Sequence, residues 1–385
     1  MRRHWSLDPA ISFLNHGSFG ACPTAVLAEQ SRLRAEMESD PVRFLARELG
    51  PKLDHALAAL GDFIGADPLD LAFVTNATAG VNAVLRSLVF QPGDEILITD
   101  HAYEACANAA RYVAARTGAR VVVAQVPFPI DKPGTVVSAV LQAAGPRVRL
   151  AILDHITSPT ALVWPIGELV CALSARGIDT LVDGAHAPGM ISLDIEALAP
   201  AYYAGNCHKW ICAPKGAGFL YVRRERQEQI APVALSHLAG WVRKASSAFR
   251  GRFDWTGTQD PTAMLCVPAA LDCMASLMPG GWPAVMAANR ALALRAREIL
   301  CEALQIEPPA PKEMIGAMAA LILPGGASEE GNDRLQQALR REAGIEVPIF
   351  GWGDPPRRAL RISAQLYNAE PDFRRLAQAL RAQRL

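Results

Sequence analysis

The 385-residue sequence predicts an α/β fold: a large domain with a mainly parallel sheet flanked by helices, followed by a smaller C-terminal α+β domain. Three observations carry this. Short apolar runs recur through the first two thirds of the chain, helix-length segments separate the earlier ones, and after about residue 240 long helices replace most of the strands. Apolar runs with few polar alternations describe strands covered on both faces, and helical crossovers between such strands make them parallel.

The elements follow in order. The opening MRRHWSLDPAISFLNHG has two arginines but no apolar stretch of signal-peptide length, and no later window offers about 18 uninterrupted apolar residues, so a cytoplasmic protein without membrane contact is expected. Strands are predicted at LAFVT (71–75), DEILITD (94–100), RVVVAQV (120–126), VRLAILDH (148–155), DTLVDGAH (179–186), AYYAGNC (201–207) and GFLYVR (218–223), with helices at 78–89, 103–117 and 166–176. Further on, DWTGTQDPTAMLCVPAALDCM and WPAVMAANRALALRAREILCEAL read as helices. A strand candidate at 318–324, a helix near 329–343, the stretch ALRISAQLYN (359–368) and a last helix complete the chain.

Composition narrows the class. With 51% hydrophobic and 20% charged residues the chain can bury a sizeable core, which excludes wholesale disorder. Lys plus Arg and Asp plus Glu number 38 each, so no net field recruits nucleic acid. Eight cysteines occur without a C-x-x-C pair, and Cys207 and Cys212 lack the second pair a zinc site needs; no metal site is expected, and the thiols are read as free.

Ligands of open α/β sheets sit beyond the carboxyl ends of the strands, and three such ends carry polar groups. In FVTNATAGVNAVL (73–85) a strand runs into Asn76, Ala77, Thr78 and Gly80 at the start of a helix, which suits a phosphate, although capping by Asn76 or Thr78 would use the same residues. In TLVDGAHAPG (180–189) Asp183 ends a strand and His186 follows; a buried aspartate needs a cationic partner unless it merely caps a helix. GNCHKW (205–210) brings Asn206, His208 and Lys209 to what should be the adjacent strand end. A lysine in so apolar a setting either snorkels to water or does chemistry. An aspartate and a lysine facing one pocket beside a phosphate cradle match the needs of pyridoxal 5'-phosphate, since the lysine forms a Schiff base with the aldehyde and the aspartate keeps the pyridine nitrogen protonated.

Taken with FLNHGSFGACP, DHAYEAC, ITSPTALVWP, GTQDPTA and LRISAQLYN, in this order, these stretches resemble the class V aminotransferase family of fold-type I pyridoxal-phosphate enzymes, and within it the isopenicillin N epimerase-like branch. The resemblance implies a segment 1–20 lining the site, a cofactor-binding large domain 21–245 and a small domain 246–385. It implies Lys209 as the Schiff-base lysine, Asp183 on the pyridine nitrogen, and His186 near the phenolic oxygen. Ala77 and Thr78 would hold the phosphate with help from Asn206 and His208, and Tyr103 would stack on the ring and pass a proton. Thr258 would reach the phosphate of a neighbouring subunit, making a homodimer with shared active sites. Arg361 would grip the α-carboxylate of an amino-acid substrate, with Asn15 and His16 along the entrance, although His16 reads equally as a turn residue.

Two departures from the wider family matter. VPIFGWGDPPRRAL supplies Trp352 and no cysteine where cysteine desulfurases carry their nucleophile, and Ser158 stands where many relatives have an asparagine. Three readings follow: an enzyme acting at Cα through an external aldimine and inverting it, a carbon–sulfur lyase of the hercynylcysteine sulfoxide lyase type, or a catalytically silent binding protein. The presence of Lys209, Asp183 and Arg361 together disfavours the last.

Overall fold

The computed structural model describes residues 1–237, 246–326 and 333–383. The strands are β1 (Ser12–Phe13), β2 (Leu71–Val74), β3 (Glu95–Thr99), β4 (Arg120–Ala124), β5 (Val148–Asp154), β6 (Asp179–Gly184), β7 (Tyr202–Asn206), β8 (Gly218–Val222), β9 (Met318–Gly326), β10 (Ile345–Glu346), β11 (Ile349–Trp352) and β12 (Arg357–Ser363). Seven of them form the central sheet, in the order β2-β8-β7-β6-β5-β3-β4. Pairing is parallel from β7 through to β4, whereas β8 runs antiparallel to both of its neighbours. A tight return after Asn206 brings the chain straight back into β8, which a helical crossover would not do.

Both faces of the sheet are covered, and the pleat decides which side chains go where. Ala151, Leu153 and Val182 join the larger core cluster, while Leu150, Ile152, Leu181, Tyr202 and Ala204 join a second cluster under the helices Ala77–Ser87 and Glu104–Thr117. Side chains alternate along a strand, so Asp154, Asp183 and Asn206 continue the second set and emerge on one face at the carboxyl ends of three adjacent strands. β4 departs from the expectation of double burial: as an edge strand it keeps Arg120 and Val123 exposed. The helix Pro133–Ala143 and the strand β11 had no counterpart in the sequence reading, and the helix expected near 329–343 starts at Arg334 within the described residues.

The N-terminal segment is bound to the C-terminal part. β1 pairs in parallel with β10, Ser363 N–H donates to the Leu14 carbonyl, and Tyr367 lies 2.8 Å from the His16 ring. A three-stranded antiparallel sheet, β11-β12-β9, carries Arg361. The helices Thr24–Ser39 and Leu49–Ile64 pack on Thr262–Leu265 and Val267–Ser276, so contacts cross the division expected at 245/246; residue 245 itself lies outside the described residues. Among the described residues no single helix is long and apolar enough to cross a membrane.

Candidate active site

The strand ends meet in an open cleft of about 670 Å³, whose walls include Thr78, Tyr103, Asp154, Asp183, His186 and Lys209. Lys209 lies in the turn after β7 beside Trp210, whose indole is fully buried and fixes the turn. Its Nζ is 3.1 Å from His186 Nε2. Burial and the neighbouring Arg361 guanidinium lower its pKa to about 8, with Asp183 pulling the other way. The amine thus sits nearer to its reactive neutral form than a surface lysine does.

Asp183, opposite Ala204 across the β6–β7 pair, is buried. Its Oδ1 accepts from the Ala185 N–H at 2.9 Å and its Oδ2 from the Cys106 thiol at 3.1 Å. The Ala185 bond is a local turn contact of the kind a cap would make, and the side-chain partners of Asp183 among the described residues are these two neutral donors. A buried carboxylate left with neutral donors is costly, which suits it to a cationic ring nitrogen.

His186 is buried and neutral, its pKa driven well down by burial and by Lys209. With Nε2 turned to Lys209, its Nδ1 has no partner.

At the start of the Ala77–Ser87 helix the donors divide. Asn76 Oδ1 accepts from Ala79 N–H at 2.9 Å and caps the helix, while Asn206 Oδ1 accepts from Ala77 N–H at 2.8 Å. The reading of Ala77 as a main-chain phosphate donor is therefore corrected, since its N–H is already engaged inside the protein. Thr78, between the two, lines the cleft with N–H and hydroxyl unengaged, at the positive end of the helix. His208 donates Nδ1–H to the Ala217 carbonyl at 2.8 Å, which leaves Nε2 as an acceptor; burial holds its pKa near 4.

The far end of the cleft is cationic. Arg361 on β12 is buried, and its pKa is lowered to about 10 by that burial. Nη1 donates to the Ser158 carbonyl at 2.6 Å and to its Oγ at 3.1 Å, and Nη2 donates to Ser18 Oγ at 3.0 Å and Asn15 Oδ1 at 3.4 Å. All of these acceptors are neutral, and Nε has none. A guanidinium held in this way, with no carboxylate beside it among the described residues, is a docking point for an anion.

The remaining expectations fall into place unevenly. Tyr103 caps the Glu104–Thr117 helix with its ring on the cleft wall, 45% exposed. Asn15 stands behind Arg361 rather than at an entrance. His16 is corrected as well: it is fully buried, Nε2–H donating to the Lys209 carbonyl at 2.9 Å and Nδ1 accepting from Tyr367, so it supports the lysine turn from behind. Thr258 is exposed, away from this cleft.

Three residues escaped the sequence reading. Ser18 holds Arg361 together with Ser158, Cys106 bonds Asp183, and Asp154 sits register-paired to Asp183. Burial and Asp183 push the Asp154 carboxyl well above its ordinary range, against a bond from the Tyr103 N–H. A signal for Asp154 existed in AILDH, where a carboxylate ends an apolar strand just as in TLVDG. No comparable signal marks Cys106 or Ser18.

The aminotransferase class-V family model matches residues 22–372. The chain is 36% identical to the isopenicillin N epimerase of Streptomyces clavuligerus, over 98% of this chain and 96% of that one. It is 38% identical to the isopenicillin N epimerase of Amycolatopsis lactamdurans, over 99% and 97%. In fold it is similar to a cysteine desulfurase from Escherichia coli, with TM-score 0.80, 20% identity and coverage of 99% of this chain and 96% of that one.

Proposed function

The chain belongs to the aminotransferase class-V family, and from that premise we propose that it moves the Cα proton of an α-amino acid held between Lys209 and Arg361, in the manner of the isopenicillin N epimerases to which it is similar. It is a pyridoxal-phosphate enzyme. The residues present fit that cofactor: Thr78 offers unengaged donors at a helix N-terminus for the phosphate, Asp183 is a buried anion with no cationic partner, and Lys209 is an amine with a lowered pKa. One observation carries the reading. A buried carboxylate and a buried guanidinium, neither with an opposite charge in salt-bridge contact among the described residues, flank the reactive amine, as a cationic ring nitrogen and a substrate carboxylate would require.

When bound, pyridoxal phosphate supplies an aldehyde that captures amines and a ring that withdraws electrons from Cα. This chain's residues do the rest. Arg361, with its Nε–H unengaged among the described residues, would hold the carboxylate by charge and by that donor and so orient Cα toward Lys209. Lys209 Nζ would take the Cα proton, the C–H bond breaking as an N–H bond forms, and the electron pair left on Cα is what the electron-withdrawing cofactor would accommodate. A proton from the Tyr103 hydroxyl, which lines the cleft and makes no hydrogen bond among the described residues, would close a new Cα–H bond on the other face. Solvent then returns a proton to Tyr103 and removes one from Lys209.

Incubating the holoenzyme in deuterated water with a panel of amino acids and cysteine S-conjugates tests this. Deuterium at Cα with inversion is expected. Pyruvate and ammonia from the conjugates, without inversion, would replace the epimerase with a carbon–sulfur lyase, and no exchange at all would remove both. Arg361→Ala should lose roughly 2 to 5 kcal/mol of substrate binding, and Lys209→Ala should abolish exchange.

A further inference from the structure

A second cleft, of about 860 Å³, opens from the first. Tyr103 and Ser158 line both, and Arg361 stands at its inner end. A substrate anchored by its carboxylate at Arg361, with Cα at Lys209, has this second cleft as the open space for its side chain. Among the described residues the charged groups on the lining beyond Arg361 are two carboxylates, Asp100 and Glu104. Asp100 accepts from Val126 N–H at 2.9 Å and has no cation partner among the described residues, whereas Glu104 is bonded to Arg111 at 2.8 Å on the exposed surface.

The apolar wall is aromatic and fixed. Trp352 meets the His101 ring edge-on at 4.7 Å between centroids. His101 itself is fully buried, with Nε2–H donating to the Val126 carbonyl and Nδ1 accepting from Thr160, and burial lowers its pKa. It therefore brings no positive charge to the wall. Arg357 lies opposite Trp352 in the β11–β12 pair, but it is exposed and outside the lining.

Resting on the function proposed above, we infer that the substrate's side chain is bulky and ends in a positively charged group, received by Trp352 and the carboxylate of Asp100. Ring faces and carboxylates attract cations, and neither offers anything to a distal carboxylate.

The holoenzyme can decide this through the perturbation of its cofactor absorption band by S-substituted L-cysteines of matched length, ending in a trimethylammonium group, its neutral tert-butyl isostere or a carboxylate. L-Alanine serves as the reference. The cationic conjugate should bind roughly five- to tenfold more tightly than the isostere, and the anionic one more weakly still. The gap should shrink in high salt, in Asp100→Asn and in Trp352→Ala. Equal affinity for cation and isostere overturns the inference while leaving the proposed function standing. Preference for the carboxylate, abolished in Arg357→Gln, overturns it in favour of Arg357. If L-alanine leaves the band unchanged as well, the function on which the inference rests fails first.

Discussion

At Lys209 burial and the Arg361 guanidinium together bring the ammonium's pKa down to about 8. At that pH roughly half of such an amine is free, against less than about one per cent of an exposed lysine near its ordinary 10.5. The sign follows from the charged form being the disfavoured one: the reactive fraction grows as pH rises through 8 and saturates above it. Capture of pyridoxal phosphate by the apoprotein, followed by stopped-flow absorbance, should accelerate up to about pH 8 and level off beyond pH 9. A rate still climbing between pH 9 and 10.5 would show an amine with an unshifted pKa. GNCHKW raises the question of what this amine does, but the size of the shift depends on Arg361, 152 positions away, and on Asp183 on the neighbouring strand.

Among the elements, the turn that carries Lys209 depends on the N-terminal segment beneath it. Gly20 has φ +71, and a Cβ there would lie 2.1 Å from the His208 carbonyl oxygen and 3.0 Å from the Lys209 Cα. The neighbours are backbone and cannot swing away, and the conformation is one that glycine alone adopts comfortably. Gly20→Ala should therefore cost about 3 kcal/mol or more, seen as a lower denaturant midpoint of the apoprotein, and should displace Lys209 enough to slow cofactor capture. A variant with wild-type midpoint and wild-type capture would show that the segment does not bear on the turn. The strand ends were legible because apolar runs in a doubly covered sheet are continuous, and a polar residue closing one stands out. β11 was not, because IFGW is short, sits at an edge and carries no alternation to mark it.

For the whole molecule, the resemblance to its family expects Thr258, exposed in this chain, to reach a neighbour's phosphate. A ligand held only by the assembled form stabilises assembly. The holoprotein should therefore sediment as a dimer whose dissociation constant rises when the cofactor is stripped, and Thr258→Ala should reproduce part of that rise. A monomer with full cofactor occupancy would contradict shared sites.

The residues themselves determine the layered α/β class and the mainly parallel sheet, and they single out Asp183 and Lys209 as candidates, because strand length, crossover length and the cost of burying charge are local properties that a sequence displays. What tertiary structure decides is who faces whom. His16 read equally as an entrance residue or a turn residue, yet it lies buried beneath Lys209, where both ring nitrogens are engaged. Ala77 looked like a phosphate donor, yet Asn206, from a strand 129 positions later, occupies its N–H. Hydrogen-bond partners of this kind are set by three-dimensional packing between segments that have no sequence relation, and a buried donor keeps whichever acceptor the fold brings to it.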